Sequence, residues 1–289
     1  MEDALRLVFI GLGLGSIYGL VGLTLVIVFN ATKVINIAQG EFVMLGAILA
    51  SVLVGERELP YYLSFVIIIG AALLVGFSLN WAIVSPLLNR NIPIIMIIIG
   101  TYAGALLING TTGALTDFAF MGIPSLMSLK AVRFGAVTIV PQYALCILIT
   151  IGVVVLYWFF LNRTHLGWAL KATSLNRDMC QLLGISTAKM TALAFGISAA
   201  IGAVAGVAIG PLTSVNALVG FPLMVNGFIA AVLGGMGNPY AAVVGGFVVG
   251  LLDRFIAGYF APGYAQLSTF LLLMVILYIR PYGLFAVKE

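Results

Sequence analysis

Charge is what this chain has least of. Only 8% of its 289 residues are Asp, Glu, Lys or Arg, whereas a soluble domain carries about 25%. Polar surface this scarce cannot cover a water-facing globule. A soluble enzyme, a nucleic-acid binder and a disordered regulator are therefore excluded. Histidine occurs once, as His165, and cysteine twice, as Cys146 and Cys180. No His/Cys metal site is visible, and no Ser/His/Asp triad can be assembled. Cys146 falls in an apolar run and Cys180 in a polar loop, so the two are not expected to pair. The sequence has no G-x-x-x-x-G-K-[ST], so the chain cannot cradle ATP phosphates by itself. The run Gly11-Leu12-Gly13-Leu14-Gly15 lies inside an apolar segment rather than after a strand, and is no nucleotide fingerprint. Enzyme activity is not expected. Met1-Glu2-Asp3 lacks a basic stretch, so the first apolar run is expected to be retained rather than cleaved as a signal peptide.

What is abundant is hydrophobicity, at 63% of residues. The mean hydropathy is +1.21. Uncharged runs cover 7–32, 59–89, 91–116, 134–162, 190–252 and 255–279. A spanning helix needs about 20 apolar residues. The expectation is an all-α polytopic membrane protein with eight or nine transmembrane segments, some short or broken. They lie near 7–29, 34–54, 61–85, 92–110, 143–161, 191–210, 222–235, 239–252 and 265–279, and the short 222–235 decides between the two counts. One membrane domain over 1–289 is expected, with a polar loop at 163–189.

The charges orient it. The loop 163–189 holds Arg163, Lys171, Arg177 and Lys189, and the tail holds Arg280 and Lys288. Cytoplasmic loops are enriched in Lys and Arg. With nine crossings the N-terminus is outside and the C-terminus cytoplasmic. The net charge of +4 reflects these loops rather than nucleic-acid binding. Tyr61, Tyr62, Tyr157, Trp158 and Tyr278 flank segments as an interfacial belt does. Glycine recurs every four residues at Gly11, Gly15 and Gly19, again at Gly202, Gly206 and Gly210, and at Gly246 and Gly250. Such spacing predicts close helix packing in lipid.

Four stretches could carry chemistry. Asn36-Ile37-Ala38-Gln39-Gly40-Glu41-Phe42 places amides and a carboxylate early in a span. A mid-membrane charge costs roughly 2.5–3.5 kcal/mol. Glu41 either starts a half-helix, whose dipole favours an anion, or lines a substrate site. Gly234-Gly235-Met236-Gly237-Asn238-Pro239 must break a helix. It reads as a tight turn, or as the second interrupted segment of an internal repeat. Thr101, Tyr102, Asn109, Thr111 and Thr112 are polar groups in or near one span, suited to bonding a neighbouring helix or to a substrate path. Loop 163–189 sets Leu175, Met179 and Leu182-Leu183 at helical spacing, with a stop at Gly184. One or two short amphipathic helices are expected there, lying on lipid or docking into a soluble partner.

Gly15-Ser16-Ile17-Tyr18-Gly19-Leu20 leading into Asn36–Phe42 resembles the permeases of branched-chain amino-acid ABC importers. So do Leu233–Pro239 with Gly245-Gly246, the loop ending Leu182-Leu183-Gly184-Ile185, and the tail Arg280-Pro281-Tyr282-Gly283-Leu284-Phe285. The shorter of the two permease types in that system is the closer likeness. The resemblance implies a permease without cofactor, ATP being bound by separate ATPase subunits. Its partners would be those ATPases, a second permease of the same or a different chain, an extracytoplasmic substrate-binding protein and the lipid bilayer. Lys171, Ser174, Asn176, Arg177, Asp178, Gln181 and Gly184 would form the ATPase-coupling element, a lever for closure of the ATPases. Asn36, Gln39, Glu41, Thr101, Tyr102, Asn109 and Asn238 would line the substrate pathway, with Glu41 meeting an ammonium. Family members usually carry His where this chain has Gln39. Branched-chain or other hydrophobic amino acids are the expected cargo, with urea, short amides or aromatic acids as alternatives. An ATP-independent carrier or channel and a transport-inactive membrane scaffold are the competing readings.

Overall fold

The computed structural model describes residues 2–90, 92–125, 132–134, 137–280 and 283–285. The helices are α1 (Glu2–Thr32), α2 (Gln39–Ala50), α3 (Tyr61–Leu79), α4 (Ser85–Asn89), α5 (Ile94–Thr116), α6 (Pro141–Arg163), α7 (His165–Leu175), α8 (Arg177–Leu182), α9 (Thr187–Ile209), α10 (Gly220–Gly234), α11 (Pro239–Tyr259) and α12 (Pro262–Ile279). A π-helical stretch Ser51–Glu56 extends α2, and another, Asn80–Val84, joins α3 to α4. A hairpin of β1 (Val132–Phe134) and β2 (Val137–Ile139) is antiparallel, pairing Arg133 with Thr138.

Among the described residues seven helical segments are long and apolar enough to cross a membrane, and two shorter apolar helices, Gly220–Gly234 and Gly263–Ile279, accompany them. The protein is thus a polytopic all-α membrane protein, its small hairpin aside. Proline marks where helices begin, because its missing N–H costs nothing there. Pro60 and Pro93 precede α3 and α5, and Pro141, Pro239 and Pro262 open α6, α11 and α12.

Several helices run past their expected ends, α5 to Thr116 rather than 110 and α11 furthest of all. The segment expected to stop at 252 continues as α11 to Tyr259, taking Asp253 and Arg254 into the helix. The two charges do not end it because they neutralise each other. Arg254 Nη2 lies 2.7 Å from Asp253 Oδ2.

α1 is the axis of the bundle. Ile17, Leu20, Val21 and Leu23 are fully buried, and α1 packs on α6, α9, α10 and α11. The glycine spacing sets these approaches. A methyl group on Gly15 would lie 2.9 Å from the Phe247 Cα, and one on Gly19 would lie 2.9 Å from the Val243 carbonyl. Gly206 likewise meets the backbone of Val43 and Ala47 on α2. Small residues let backbones touch where lipid offers no hydrophobic drive.

The packing is reciprocal. α11 and α10 lie on α1 as α3 and α2 lie on α9. The half-helices α2 and α10 run to opposite ends. Beyond α2, Ser51 Oγ donates to the Gly122 carbonyl at 2.8 Å, and Met121 bridges Val215. α10 instead ends where α1 does. There Asn30 Nδ2 donates to the Gly237 carbonyl at 2.9 Å, and the Leu284 N–H donates to the Leu233 carbonyl.

Candidate substrate site

Between α1 and α2 the chain turns back into the bundle. Lys33 takes a left-handed φ of 59°, and Asn36 Oδ1 accepts from the Ala38 N–H at 3.1 Å. That Asx turn ends the extended segment and starts α2, whose first turn holds Glu41. The depth is fixed by partners. Gln39 Nε2 donates to the Ser198 carbonyl at 3.3 Å, and Ser198 Oγ donates to Gln39 Oε1 at 2.6 Å. Ser198 is midway along α9, and its Oγ also lies 3.2 Å from the carbonyl of Thr24, well inside α1. α2 therefore begins in the interior of the bundle.

α10 begins in the same way. Asn216 Oδ1 accepts from the Leu218 N–H at 3.1 Å, and Gly220 opens the helix four residues after the Asn, as Gly40 follows Asn36. The two starts touch. A methyl group on Gly220 would lie 2.8 Å from the Gly40 carbonyl oxygen and 3.3 Å from the Met44 Cβ, and one on Gly40 would meet the Gly220 carbonyl and the Met224 Cβ. Two interior helix N-termini thus meet, each carrying a partial positive charge.

Asn109 of α5 closes the cluster. Its Nδ2 donates to the Ala217 carbonyl at 2.6 Å and to Glu41 Oε2 at 3.3 Å. The Ile37 N–H donates to Thr101 Oγ1 at 3.3 Å. Glu41 is only 5% exposed, while Asn36, Gln39, Thr101 and Ser198 are fully buried. Among the described residues no cation lies within ion-pair distance of Glu41.

Five of the seven expected pathway residues therefore come together: Asn36, Gln39, Glu41, Thr101 and Asn109. Tyr102 does not, since it points outward at 44% exposure. Asn238 does not either. It caps α11 at the far end of α10, accepting from the Tyr240 and Ala241 N–H groups. The Gly234–Pro239 break is thus a turn between two helices. The interior partner of the Asn36–Glu41 break is Asn216–Gly220. Ser198 and Asn216 escaped the sequence reading. The repeated Asn-x-x-x-Gly spacing was the signal for Asn216.

Of the one or two short helices expected in the polar loop, two form, α7 and α8. Thr164 caps α7 by accepting from the Gly167 N–H, and Asn176 caps α8 by accepting from the Met179 N–H at 2.9 Å. Gly184 ends α8 with a φ of 79°, the left-handed stop glycine allows. Arg177 leaves the loop. Its guanidinium donates to the Ala31 carbonyl at 3.3 Å and to Thr191 Oγ1 at 3.4 Å. Burial pulls its proton affinity down, with Asp178 opposing. Gln181 Nε2 donates to Thr187 Oγ1 at 2.9 Å. Lys171 and Ser174 face a cleft beside α7. Asp178 and Asn176 are exposed, as are Leu175, Leu182 and Leu183. Of the tail expected to carry a signature, Pro281 and Tyr282 lie outside the described residues.

Residues 7–279 match the family model described as the branched-chain amino acid transport system permease component. The chain belongs to this family. It is 28% identical to the high-affinity branched-chain amino acid transport system permease protein LivH of Salmonella typhimurium, over 99% of this chain and 96% of the relative. It is 30% identical to BraD of Pseudomonas aeruginosa, covering 96% and 94%, and 26% identical to a probable LivH of Methanocaldococcus jannaschii, covering 92% and 87%. Among solved structures, a chain of PsaBC from Streptococcus pneumoniae in complex with Fab superposes with a TM-score of 0.51 at 14% identity, over 96% of this chain and 92% of that one. That likeness concerns the fold alone. This permease is a multi-pass membrane protein of a transport system.

Proposed function

We propose that the chain is the transmembrane permease subunit of an ATP-driven ABC importer for branched-chain or other hydrophobic amino acids. The observation that carries this reading is Glu41, a buried carboxylate in the first turn of an interior half-helix, facing the Asn109 amide and, among the described residues, no cation. A carboxylate so placed suits a substrate ammonium. The N-termini of α2 and α10 suit a substrate carboxylate, as half-helix ends do in transporters. Phe42, Met44 and Met224 supply apolar surface beside them. Gly40 and Gly220 lie too close to admit a solute between them, so passage requires α2 and α10 to part.

ATP is bound by partner subunits. Loop 163–189 is the coupling element, and its exposed Leu175, Met179, Leu182 and Leu183 suit a groove on an ATPase. The remaining partners are a second permease, alike or different, and an extracytoplasmic binding protein. The N-terminus lies outside and the C-terminus in the cytoplasm.

The test is uptake of labelled leucine by the complete importer carrying Glu41→Gln. Uptake is expected to fall at least tenfold, roughly the low end for a lost charged hydrogen bond, with assembly unchanged. Normal uptake by an assembled variant sinks the reading. One observation favours a second cargo class: four amides, Asn36, Gln39, Asn109 and Asn216, gather around the break. Urea or a short amide would bind there without an ammonium partner, and its uptake would survive Glu41→Gln.

A further inference from the structure

A second site lies at the end of the bundle where α1, α6 and α12 finish and α11 begins. A cleft of about 1620 Å³ opens there. Small-molecule pockets span about 300–1,000 Å³, so this space exceeds what an amino acid needs. Three cations border it, Lys33, Lys171 and Arg280, and all three are exposed. None of the described residues lining it is acidic. Unopposed positive charge is rare in a chain with so few charges, and α11 adds the positive end of its dipole from the same wall.

The rest of the lining is apolar and graded by depth. Ile27 and Leu170 are buried at the floor, at 1% and 5% exposure. Leu277 and Ile279 of α12 and Trp158 of α6 are exposed at the edge. Trp158 and its buried neighbour Tyr157 mark the level of the membrane interface. The cleft thus joins a cationic rim to an apolar wall at the depth where lipid head groups meet acyl chains.

We propose that this cleft binds an anionic phospholipid, the phosphate between Lys33, Lys171 and Arg280 and an acyl chain along Leu277, Ile279 and Trp158. Basic pockets between transmembrane helices hold such head groups. A free phosphate would use the cations and leave the apolar wall unused. A zwitterionic lipid would use the wall and leave the cations unopposed. The inference does not depend on the cargo, and because Lys171 also lies in loop 163–189 it is tested on the permease chain without ATPase.

The test is native mass spectrometry of the full-length chain purified in detergent. It is mixed in parallel with dioleoyl phosphatidylglycerol, with dioleoyl phosphatidylcholine, and with dioleoyl phosphatidylglycerol plus excess inorganic phosphate. Phosphatidylglycerol should be retained at least tenfold better than phosphatidylcholine, and phosphate should not displace it. Each neutralised cation is expected to weaken retention about fivefold, from about 1 kcal/mol per Lys or Arg, so Lys33→Gln, Lys171→Gln and Arg280→Gln together lose about a hundredfold. Lys33→Arg with Lys171→Arg keeps the charge and should retain the lipid, with the unfolding midpoint reporting that every variant folds. Equal retention of the two lipids, displacement by phosphate, or full retention by the folded triple variant would each overturn the proposal.

Discussion

Gly40 and Gly220 each occupy the space the other's side chain would need. A methyl group on either would lie on, or within 2.8 Å of, the other's carbonyl oxygen. The obstruction is backbone rather than a flexible side-chain tip, so it cannot be relieved by a rotamer change. Gly220→Ala must push the start of α10 away from α2. Overpacking of this kind costs about 1–3 kcal/mol. The expected result is a lower thermal unfolding midpoint for the purified chain and reduced uptake by the importer. Gly152→Ala, where a methyl group meets nothing within 4 Å inside α6, should leave uptake unchanged and the midpoint no lower. A Gly220→Ala chain as stable as the parent would show that the two half-helices separate freely.

Asn109 holds two acceptors at once, the Ala217 carbonyl and Glu41 Oε2. Asn109→Leu strands both in an apolar interior, and a buried acceptor left without a donor costs about 1–3 kcal/mol. The unfolding midpoint should therefore fall well below the parent's. The same change in a Glu41→Gln background should cost less, because a neutral amide is cheaper to leave in that interior than a carboxylate. A double-mutant cycle measures the difference. Strict additivity would mean that Asn109 and Glu41 do not act together.

Much of this architecture could be read from residue order. The glycine spacings in α1, α9 and α11 anticipated the close backbone approaches, because a small residue every four positions has one use in lipid. Glu41 stood out because a carboxylate in an apolar run is expensive. Ser198 did not stand out, since a lone hydroxyl in a span usually bonds its own helix, and its link to Gln39 exists only once α2 and α9 are packed. Asn216 lies between the spans expected at 191–210 and 222–235. Its equivalence to Asn36 depends on both residues opening interior helices, which spacing alone suggests but does not locate in depth. The Gly234–Pro239 break drew attention because it is dense in glycine and proline, yet that density serves a turn with positive φ at Gly235 and Gly237.

Asp253 is 7% exposed and accepts both of Arg254's short hydrogen bonds, at 2.9 and 2.7 Å. The pair lets α11 run on past two charges inside a spanning segment. Arg254→Leu removes the donor and leaves a buried carboxylate, so the chain should lose stability by about 1–3 kcal/mol. Adding Asp253→Asn should recover part of that loss, since a buried pair replaced at both ends costs less than one broken at one end. Thermal unfolding of the single and double variants reads the outcome. A double variant less stable than Arg254→Leu alone would rule out charge pairing as the reason for the helix's extension.

Arg177 ties the α7–α8 loop to the end of α1 by a hydrogen bond to the Ala31 carbonyl, while its second contact, Thr191, lies in α9. Ala31 stands five residues before Asn36, where the chain turns back toward Glu41. A displacement of Arg177 would thus have a short covalent path to the interior break. Arg177→Gln keeps a polar group but cannot span both contacts. If the loop is the ATPase-coupling element, uptake per ATP hydrolysed should fall about tenfold, matching roughly 1.5 kcal/mol for a hydrogen bond to a charged group. Basal hydrolysis and co-purification of the ATPase should persist, because Leu182 and Leu183 remain on the exposed surface. Arg177→Lys, with one compact ammonium in place of a fork, should give an intermediate ratio. Loss of ATPase binding in either variant would instead make Arg177 a docking residue, and an unchanged ratio would remove it from the coupling path.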